Sequence, residues 1–267
     1  MNRIRIATTA IAIAAAGAFL MGCSGGAKTT WEAAPAASAP AGGTGGGSAV
    51  EGTSALAAAK TPDQSGVAGV VATTESTGVA LTFDDGPDPN YTPKMLELLR
   101  KHNVKATFCL VGVNVQQYPQ LVRDIVADGH ALCNHTWKHD TKLGTRADDA
   151  IRADMQKTTD AIVAAAPGAP VKYFRHPGGM WTSRAVKIAK ELGMVSLGWD
   201  VDPMDWNTAK HGTGAQMRDH ILQVLRSGVK PGSIVLSHDA GGDRTGTLAA
   251  YEIALPELVA KYKLVAL

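Results

Sequence analysis

The chain has 267 residues, of which 45% are hydrophobic and 5% aromatic, and its formal net charge is +2. This length is enough for one sizeable hydrophobic core and an accessory segment. The charge is close to zero and no predicted helix carries a cluster of Lys and Arg, which disfavours nucleic acid as a partner. We therefore expect one folded domain that does not bind nucleic acid.

Residues 1–23 have the pattern of a bacterial signal peptide. A basic start is followed by an apolar run over residues 6–20 that is short for a bilayer core of about 30 Å. Leu20-Met21-Gly22-Cys23 resembles a lipobox, in which Cys23 becomes the lipidated first residue of the mature protein. The alternative is an ordinary cleavage site beside an incidental cysteine. We expect a secreted lipoprotein, anchored to the cell membrane through Cys23 and facing the cell wall.

Residues 24–77 are predicted to be a flexible tether. Ala, Gly, Pro, Ser and Thr dominate this stretch as far as about residue 66, and it has almost no periodic apolar pattern. Such a composition buries too little surface to offset the entropy of ordering. The folded domain is expected over residues 78–267.

Apolar runs alternate with amphipathic segments from residue 78 onward. In chain order, strands are predicted at 79–83, 106–112, 130–133, 171–175, 194–200, 233–237 and 263–267, and helices at 92–102, 119–128, 147–165, 183–192, 214–226 and 247–262. Thr92 is expected to cap the first helix, with Pro93 in its first turn. Strands that alternate with helices indicate an α/β fold with a parallel sheet. About seven parallel strands favour a distorted or incomplete (β/α) barrel, with an open doubly wound sheet as the alternative.

Two cysteines, Cys109 and Cys133, lie in neighbouring predicted strands. In an oxidising compartment they form a disulfide if their geometry permits it. The alternative is a pair of buried free thiols, because unpaired Cys is among the most buried residue types. The sequence leaves both open.

Ionisable residues follow five of the predicted strands, at Asp84-Asp85, His135, Arg175, Asp200/Asp202 and His238. In a β/α barrel the carboxyl ends of the strands form the face that carries active sites. One Asp and two His around Zn²⁺ leave a coordination position open, as a catalytic site requires. A second, adjacent Asp is then free to act as a base. These residues predict a metal-dependent hydrolase.

Five motifs carry a resemblance to a known family. They are Thr82-Phe83-Asp84-Asp85-Gly86-Pro87, His135-Thr136-Trp137-Lys138-His139, Arg175-His176-Pro177-Gly178, Asp202-Pro203-Met204-Asp205-Trp206 and Leu236-Ser237-His238. In this order they resemble the motifs of the polysaccharide deacetylase family (carbohydrate esterase family 4), over about residues 79–267. The resemblance implies that Asp85, His135 and His139 bind the metal. Zn²⁺ suits these ligands, and Co²⁺ or Ni²⁺ are substitutes.

The resemblance also assigns the chemistry. It implies that Asp84 is the base and that Arg175 keeps it ionised and oriented. It implies that His238 protonates the leaving amine while Asp205 keeps the imidazole charged. The remaining assignments concern substrate contacts: a backbone N–H at Gly178 for the oxyanion, and Trp206 and Leu236 around the acetyl methyl group. Ordinary core packing is the alternative for these two residues, and the two roles are compatible. Gly178 departs from the commonest family pattern, which has an aromatic residue there.

The function implied is hydrolytic deacetylation of an N-acetylated polysaccharide of the cell envelope, with release of acetate. Peptidoglycan N-acetylglucosamine is the leading substrate and chitin-type oligomers are next. The alternatives are an O-acetyl esterase on acetylated xylan, a hydrolase of non-sugar amides with the same site, and a non-catalytic glycan-binding lipoprotein. We expect a monomer whose partners are the polysaccharide and, through Cys23, the membrane.

Overall fold

The computed structural model describes residues 66–267. The predicted signal peptide, the lipidation site Cys23 and the tether up to residue 65 lie outside the described residues. None of the helices in the described part is long and apolar enough to cross a bilayer.

Eight strands and eight helices alternate along the described chain. The strands are β1 (Val70–Val71), β2 (Val79–Asp84), β3 (Thr107–Leu110), β4 (Ala131–Asn134), β5 (Val171–Phe174), β6 (Val195–Leu197), β7 (Ile234–His238) and β8 (Leu264–Val265). The helices are α1 (Thr92–Lys101), α2 (Gly112–Gln117), α3 (Pro119–Ala127), α4 (Asp148–Ala165), α5 (Ser183–Glu191), α6 (Thr208–His211), α7 (Gly214–Gly228) and α8 (Thr245–Lys261). Short 3₁₀ turns lie at Leu143–Thr145 and Pro177–Gly179.

The strands form one parallel sheet in the order β1-β6-β5-β4-β3-β2-β7, and β8 pairs with the start of β2. The ladder leaves β1 and β7 at its two ends. Isolated bridges join these ends, one from Val201 after β6 to Val235 and one from Thr73 after β1 to Ser233. The sheet is therefore curled and incompletely closed, and the predicted distorted or incomplete (β/α) barrel is confirmed.

Side chains alternate between the two faces of the curled sheet, as the pleat of a strand requires. Outward residues such as Leu81, Phe83 and Phe108 pack with the helices into the main hydrophobic core. The longer helices supply residues three or four positions apart, as α1 does with Met95 and Leu99. Inward residues form a separate apolar cluster inside the barrel: Ala80, Cys109, Cys133, Leu197, Trp199, Ile234 and Leu236.

Cys109 and Cys133 are directly paired neighbours on β3 and β4, with Cα atoms 4.1 Å apart, and they are joined by a disulfide. Both lie inside the barrel without exposed surface. The structure thus selects the first of the two alternatives that the sequence left open.

Three expectations are corrected. The predicted tether runs too far, because Val70–Val71 pairs with β6 and so belongs to the sheet before residue 78. Thr92 is not the cap of α1: it is the first helical residue, and its hydroxyl donates to Asp239 Oδ2 at 2.5 Å. The predicted strand at 106–112 ends at Leu110, because Gly112 already begins α2.

Candidate active site

The predicted site residues meet at the carboxyl ends of β2, β4, β5 and β7. Asp84 is paired in register with His238 across β2 and β7, and β4 and β5 deliver His135 and Arg175 immediately after their last residues. Parallel strands end at the same edge of a sheet, so neighbouring strand ends bring these side chains together. Separate motifs along the chain thereby become one cluster.

Asp84 and Arg175 form a buried ion pair. Arg175 has no exposed surface, and its Nη1 donates to Asp84 Oδ1 at 2.7 Å. The same guanidinium donates to Thr82 Oγ1 at 2.7 Å and to the carbonyl oxygens of Leu197 and Gly198 at 3.0 Å each. All three nitrogens of the guanidinium therefore donate hydrogen bonds, and only one oxygen of Asp84, Oδ1, accepts one of them. The other, Oδ2, lies 3.6 Å from His135 Nε2 and faces the cluster.

Asp85, His135 and His139 bring three ligand atoms to within 4.8 Å of one another. Asp85 Oδ1 lies 3.4 Å from His135 Nε2 and 3.3 Å from His139 Nε2. This oxygen is buried and has no hydrogen-bond partner among the described residues. Asp85 and His139 have φ angles of 75° and 55°, which non-glycine residues adopt rarely and mostly at functional sites.

The protonation of these groups suits metal binding. His135 Nδ1 donates to the carbonyl oxygen of Arg175 at 2.8 Å, which leaves the lone pair on Nε2 toward Asp85. Burial, followed by the nearby His135, lowers the pKa of His139 and favours its neutral form. Burial would raise the pKa of Asp85, but the neighbouring His135 and the charge of His238 outweigh it and lower that pKa.

These residues fit a divalent metal. The buried Oδ1 of Asp85 has no hydrogen-bond partner among the described residues, and the Nε2 atoms of His135 and His139 lie 3.4 and 3.3 Å from it. The loop after β7 closes the other side: Gly241 has φ 73°, and a Cβ there would overlap Asp85 Oδ2. Glycine at this position therefore leaves room for the carboxylate.

His238 and Asp205 form a second buried pair. His238 Nδ1 lies 2.6 Å from Asp205 Oδ1, and the backbone N–H of His238 donates to Asp205 Oδ2 at 2.9 Å. Burial disfavours the charged imidazole, but the negative charge and hydrogen bond of Asp205 outweigh burial and raise the pKa of His238 to about 9. The imidazole is therefore a proton donor at neutral pH.

Sequence reasoning missed the residues that hold Asp205. Thr247 Oγ1 donates to Asp205 Oδ2 at 2.9 Å, and Arg244 Nη1 donates to the Asp205 carbonyl at 2.8 Å. Both come from the start of α8, about forty residues away in the chain, and neither has a local sequence signal.

Asp239 is a further buried carboxyl that sequence reasoning missed. Its Oδ2 accepts the hydroxyl of Thr92, its Oδ1 has no partner in the described part of the chain, and burial raises its pKa to about 7. Its position directly after His238 on a strand end was the only signal for it.

The predicted substrate contacts lie in different environments. Gly178 has φ 62° in the 3₁₀ turn after β5, and its N–H has no acceptor within residues 66–267. Trp206 is 48% exposed in the loop after β6, which excludes ordinary core packing. Leu236 is buried inside the barrel, two residues below His238 on the same face of β7. A joint acetyl pocket of Trp206 and Leu236 stays a prediction.

The chain is similar in sequence to known deacetylases. The family model described as polysaccharide deacetylase matches residues 72–197. A chitooligosaccharide deacetylase from Sinorhizobium fredii is 38% identical over 167 residues, which are 62% of this chain and 74% of that protein.

Two solved structures are similar in fold and sequence. The crystal structure of the peptidoglycan N-acetylglucosamine deacetylase Bc1960 is 36% identical with a TM-score of 0.65, and the match covers 72% of this chain and 86% of that one. The structure of BA3943 from Bacillus anthracis, described as a pseudoenzyme of carbohydrate esterase family 4, is 33% identical with a TM-score of 0.61. That match covers 71% of this chain and 63% of the other.

Proposed function

Because the chain belongs to the polysaccharide deacetylase family, we propose that it is a zinc-dependent hydrolase that removes acetyl groups from N-acetylglucosamine residues of a cell-envelope polysaccharide. Deacetylation is the activity named for relatives that act on chitooligosaccharides and on peptidoglycan. Beyond the activity named for these relatives, we propose the identity of the metal, zinc, and the choice of glycan.

Asp84 is the base in this proposal. The guanidinium of Arg175 donates a hydrogen bond to one carboxylate oxygen of Asp84, while Oδ2 remains free beside the ligand His135. A water molecule placed between Oδ2 and the acetamide carbonyl would lose its proton to Asp84 as it attacks. Arg175 and the buried strand ends fix the direction of that oxygen.

His238 is the acid. Its ring is charged at neutral pH because Asp205 holds Nδ1, so Nε2 carries a proton that it donates to the leaving amine. The base and the acid sit on neighbouring strands in paired positions, which suits attack and departure at one carbonyl carbon.

The remaining chemistry is charge stabilisation. Zn²⁺ held by Asp85, His135 and His139 would supply Lewis-acid polarisation of the carbonyl and lower the pKa of water. The free backbone N–H of Gly178 would donate to the oxyanion that forms as water attacks.

One observation favours an enzyme over a glycan-binding protein that does not catalyse a reaction. The pair Asp84–Arg175, which carries the base, and the pair His238–Asp205, which carries the acid, are both complete and buried at the strand ends that also carry Asp85 and His135. A binding protein needs neither. The relative described as a pseudoenzyme shows that family membership alone does not establish turnover.

Acetate release tests the proposal directly. Zinc-loaded and chelator-stripped protein are incubated with N-acetylglucosamine oligomers, purified peptidoglycan and acetylxylan. We expect zinc-dependent acetate from an N-acetylated glycan, and Asp85→Ala should lose both zinc and activity. Acetate from acetylxylan alone would point to an O-acetyl esterase. No acetate from zinc-loaded protein would favour the binding protein.

We also propose that the protein is a lipoprotein anchored through Cys23 and exposed to the cell wall. The supporting feature is the sequence of residues 1–23, which places a basic start, an apolar run and Leu20-Met21-Gly22-Cys23 in the order of a lipobox signal. Cys23→Ala should release the protein from the membrane fraction of expressing cells, while Cys109 and Cys133 are unchanged. Membrane association that survives the substitution would contradict lipidation.

A further inference from the structure

A pocket of about 560 Å³ opens beside the metal ligand His139. It is lined mainly by one continuous loop, residues 137–143, together with Arg146, Ala150 and Asp154. The volume lies in the range of small-ligand pockets. The side chain of His139 is 40% exposed, so the pocket and the metal site share this ligand as a wall.

The loop is held in one shape by its own acidic residue. Asp140 Oδ1 accepts the backbone N–H of Lys142 at 2.9 Å, and Asp140 Oδ2 accepts Arg146 Nε at 2.6 Å. The backbone N–H of Asp140 donates to Thr136 Oγ1 at 3.1 Å. Asp140 and Arg146 therefore form an ion pair, and each neutralises the charge of the other.

The two lysines of the pocket have no acidic partner that would neutralise their charge in the described part of the chain. Lys138 and Lys142 are exposed on either side of the His139–Thr141 segment, and neither forms an ion pair in the described part of the chain. The other acid of the pocket, Asp154, accepts the backbone N–H of Trp137 at 2.8 Å, and burial raises its pKa. The pocket thus carries excess positive charge immediately next to the catalytic cluster.

The aromatic residue of this pocket, Trp137, is not positioned to stack on a sugar ring, because its ring already packs against other residues. The ring of Trp137 has Lys157 Nζ 3.8 Å from its centroid, and it packs so closely on Gly112 that a Cβ there would overlap the ring. Gly178, across the loop, has no side chain, and the nearest atoms to a Cβ there belong to Thr141 and Met180. Nothing at position 178 therefore covers the loop that carries the lysines.

We infer that Lys138 and Lys142 form a subsite for a carboxylate on the sugar next to the one that is deacetylated, an assignment that rests on the proposed deacetylase activity. The enzyme would then favour an acidic glycan, such as the peptide-free alternating N-acetylglucosamine–N-acetylmuramic acid strand, over neutral chitin-type oligomers. The lactyl group of N-acetylmuramic acid supplies the carboxylate, and the two ammonium groups bind it as point charges.

Matched substrates isolate this contact. The zinc-loaded full-length protein is assayed on a peptide-free tetrasaccharide of alternating N-acetylglucosamine and N-acetylmuramic acid, and on the same tetrasaccharide with its lactyl carboxylates methylated. The methyl ester keeps the shape and removes the charge. We expect the acid to have the higher kcat/KM, mainly through a lower KM, and the difference to shrink with added salt because exposed charges are screened.

Variants then test the two residues. In Lys138→Gln/Lys142→Gln the acid-to-ester ratio of kcat/KM should fall about fivefold, the size expected for two exposed ion pairs. Lys138→Arg/Lys142→Arg should keep most of the preference. The matched control is Lys101→Gln/Lys263→Gln, which removes the same charge at the opposite end of the sheet and should leave the ratio unchanged.

The outcomes separate the two hypotheses. Acetate from both substrates at an equal rate, or an acid-to-ester ratio that is the same in the double glutamine variant and in the wild type, would overturn the subsite and leave the deacetylase standing. An equal fall in the control variant would also overturn it, because general electrostatic attraction would then explain the preference. No acetate from either substrate with zinc bound would overturn the proposed function and the subsite together.

Discussion

His238 and His130 are both buried histidines beside the sheet, but they lie at opposite ends of it. His238 ends β7 at the carboxyl edge, and its carboxylate partner Asp205 raises its pKa to about 9. His130 precedes β4 at the other edge, where its Nδ1 accepts the backbone N–H of Ala106 at 3.1 Å. Burial lowers the pKa of His130 to about 4, so it is neutral.

The difference shows what decides the charge of a buried group. Burial disfavours the imidazolium at both positions. At His238 a carboxylate in direct contact, Asp205 at 2.6 Å, outweighs burial, whereas the charge of Asp128 near His130 does not. The same edge as His238 holds the buried Asp84–Arg175 pair. The fully buried ion pairs of the described chain thus lie at the carboxyl end of the barrel, while the interior beneath them is apolar and contains the disulfide.

The largest expected effect comes from neutralising the base. Asp84→Asn should reduce kcat by about a thousandfold, in the range found for positioned general bases, because the amide cannot accept the proton of water. Metal analysis should still find zinc, since Asp84 is not one of the three ligands.

Asp128→Asn is the matched control at the opposite edge, where the carboxylate pairs with Arg100 on the surface. It should leave kcat within about twofold, as expected for an exposed ion pair. Near-normal turnover in Asp84→Asn would remove the base assignment.

A smaller effect is expected when the partner of His238 loses its charge. The wild-type rate should fall as pH rises through about 9, where His238 loses its proton. Asp205→Asn keeps the shape but removes the charge that opposes burial, so this alkaline limb should move to lower pH. A pH–rate profile checks the shift, and part of the lost rate should return as the buffer is made more acidic.

Asp202→Asn is the control for that shift. It removes a carboxylate from the same loop, one that accepts the backbone N–H of Met204 and does not hold His238. Its alkaline limb should stay close to that of the wild type. An unmoved limb in Asp205→Asn would contradict the role of Asp205.

The smallest expected effect is on stability alone, at the other end of the barrel. The folded-state pKa of His130 lies below that of the unfolded chain, so its contribution is complete above about pH 6.5 and is lost as pH falls toward 4. Denaturant unfolding at pH 7 and pH 5 should show a loss on the order of 1–2 kcal/mol from this group, and His130→Gln should remove it.

Activity should be unaffected in His130→Gln because no site residue contacts this histidine among the hydrogen bonds of the described chain. His102→Gln, at the end of α1, is the control and should keep the wild-type pH dependence. An unchanged pH dependence in His130→Gln would mean that another group is responsible for the acid sensitivity.

The periodic patterns in the sequence were sufficient for most of the fold. All seven predicted strands are present, because buried parallel strands give apolar runs that are visible without the structure. The strand β1 was missed since two valines among Gly and Thr have no pattern of their own, and their pairing is provided by β6. The disulfide was undecided because it depends on the register of β3 and β4, which sequence spacing does not determine.

In the site, as in the fold, residues with a local sequence pattern were predicted and residues that depend on tertiary contacts were not. Residues in motifs at strand ends were predicted, since the topology of parallel strands brings such ends together. Thr247, Arg244 and Asp239 were not, because their contacts depend on where the loop after β7 returns toward Asp205 and Thr92. Their roles became visible only in three dimensions.

Arg175 serves the site twice, through parts that differ in how they respond to mutation. Its guanidinium holds Asp84, whereas its carbonyl oxygen orients His135. Any amino acid at position 175 retains the carbonyl, but only arginine provides the fork that holds Asp84. A substitution at position 175 therefore removes the partner of Asp84 while the backbone acceptor of His135 remains in the chain.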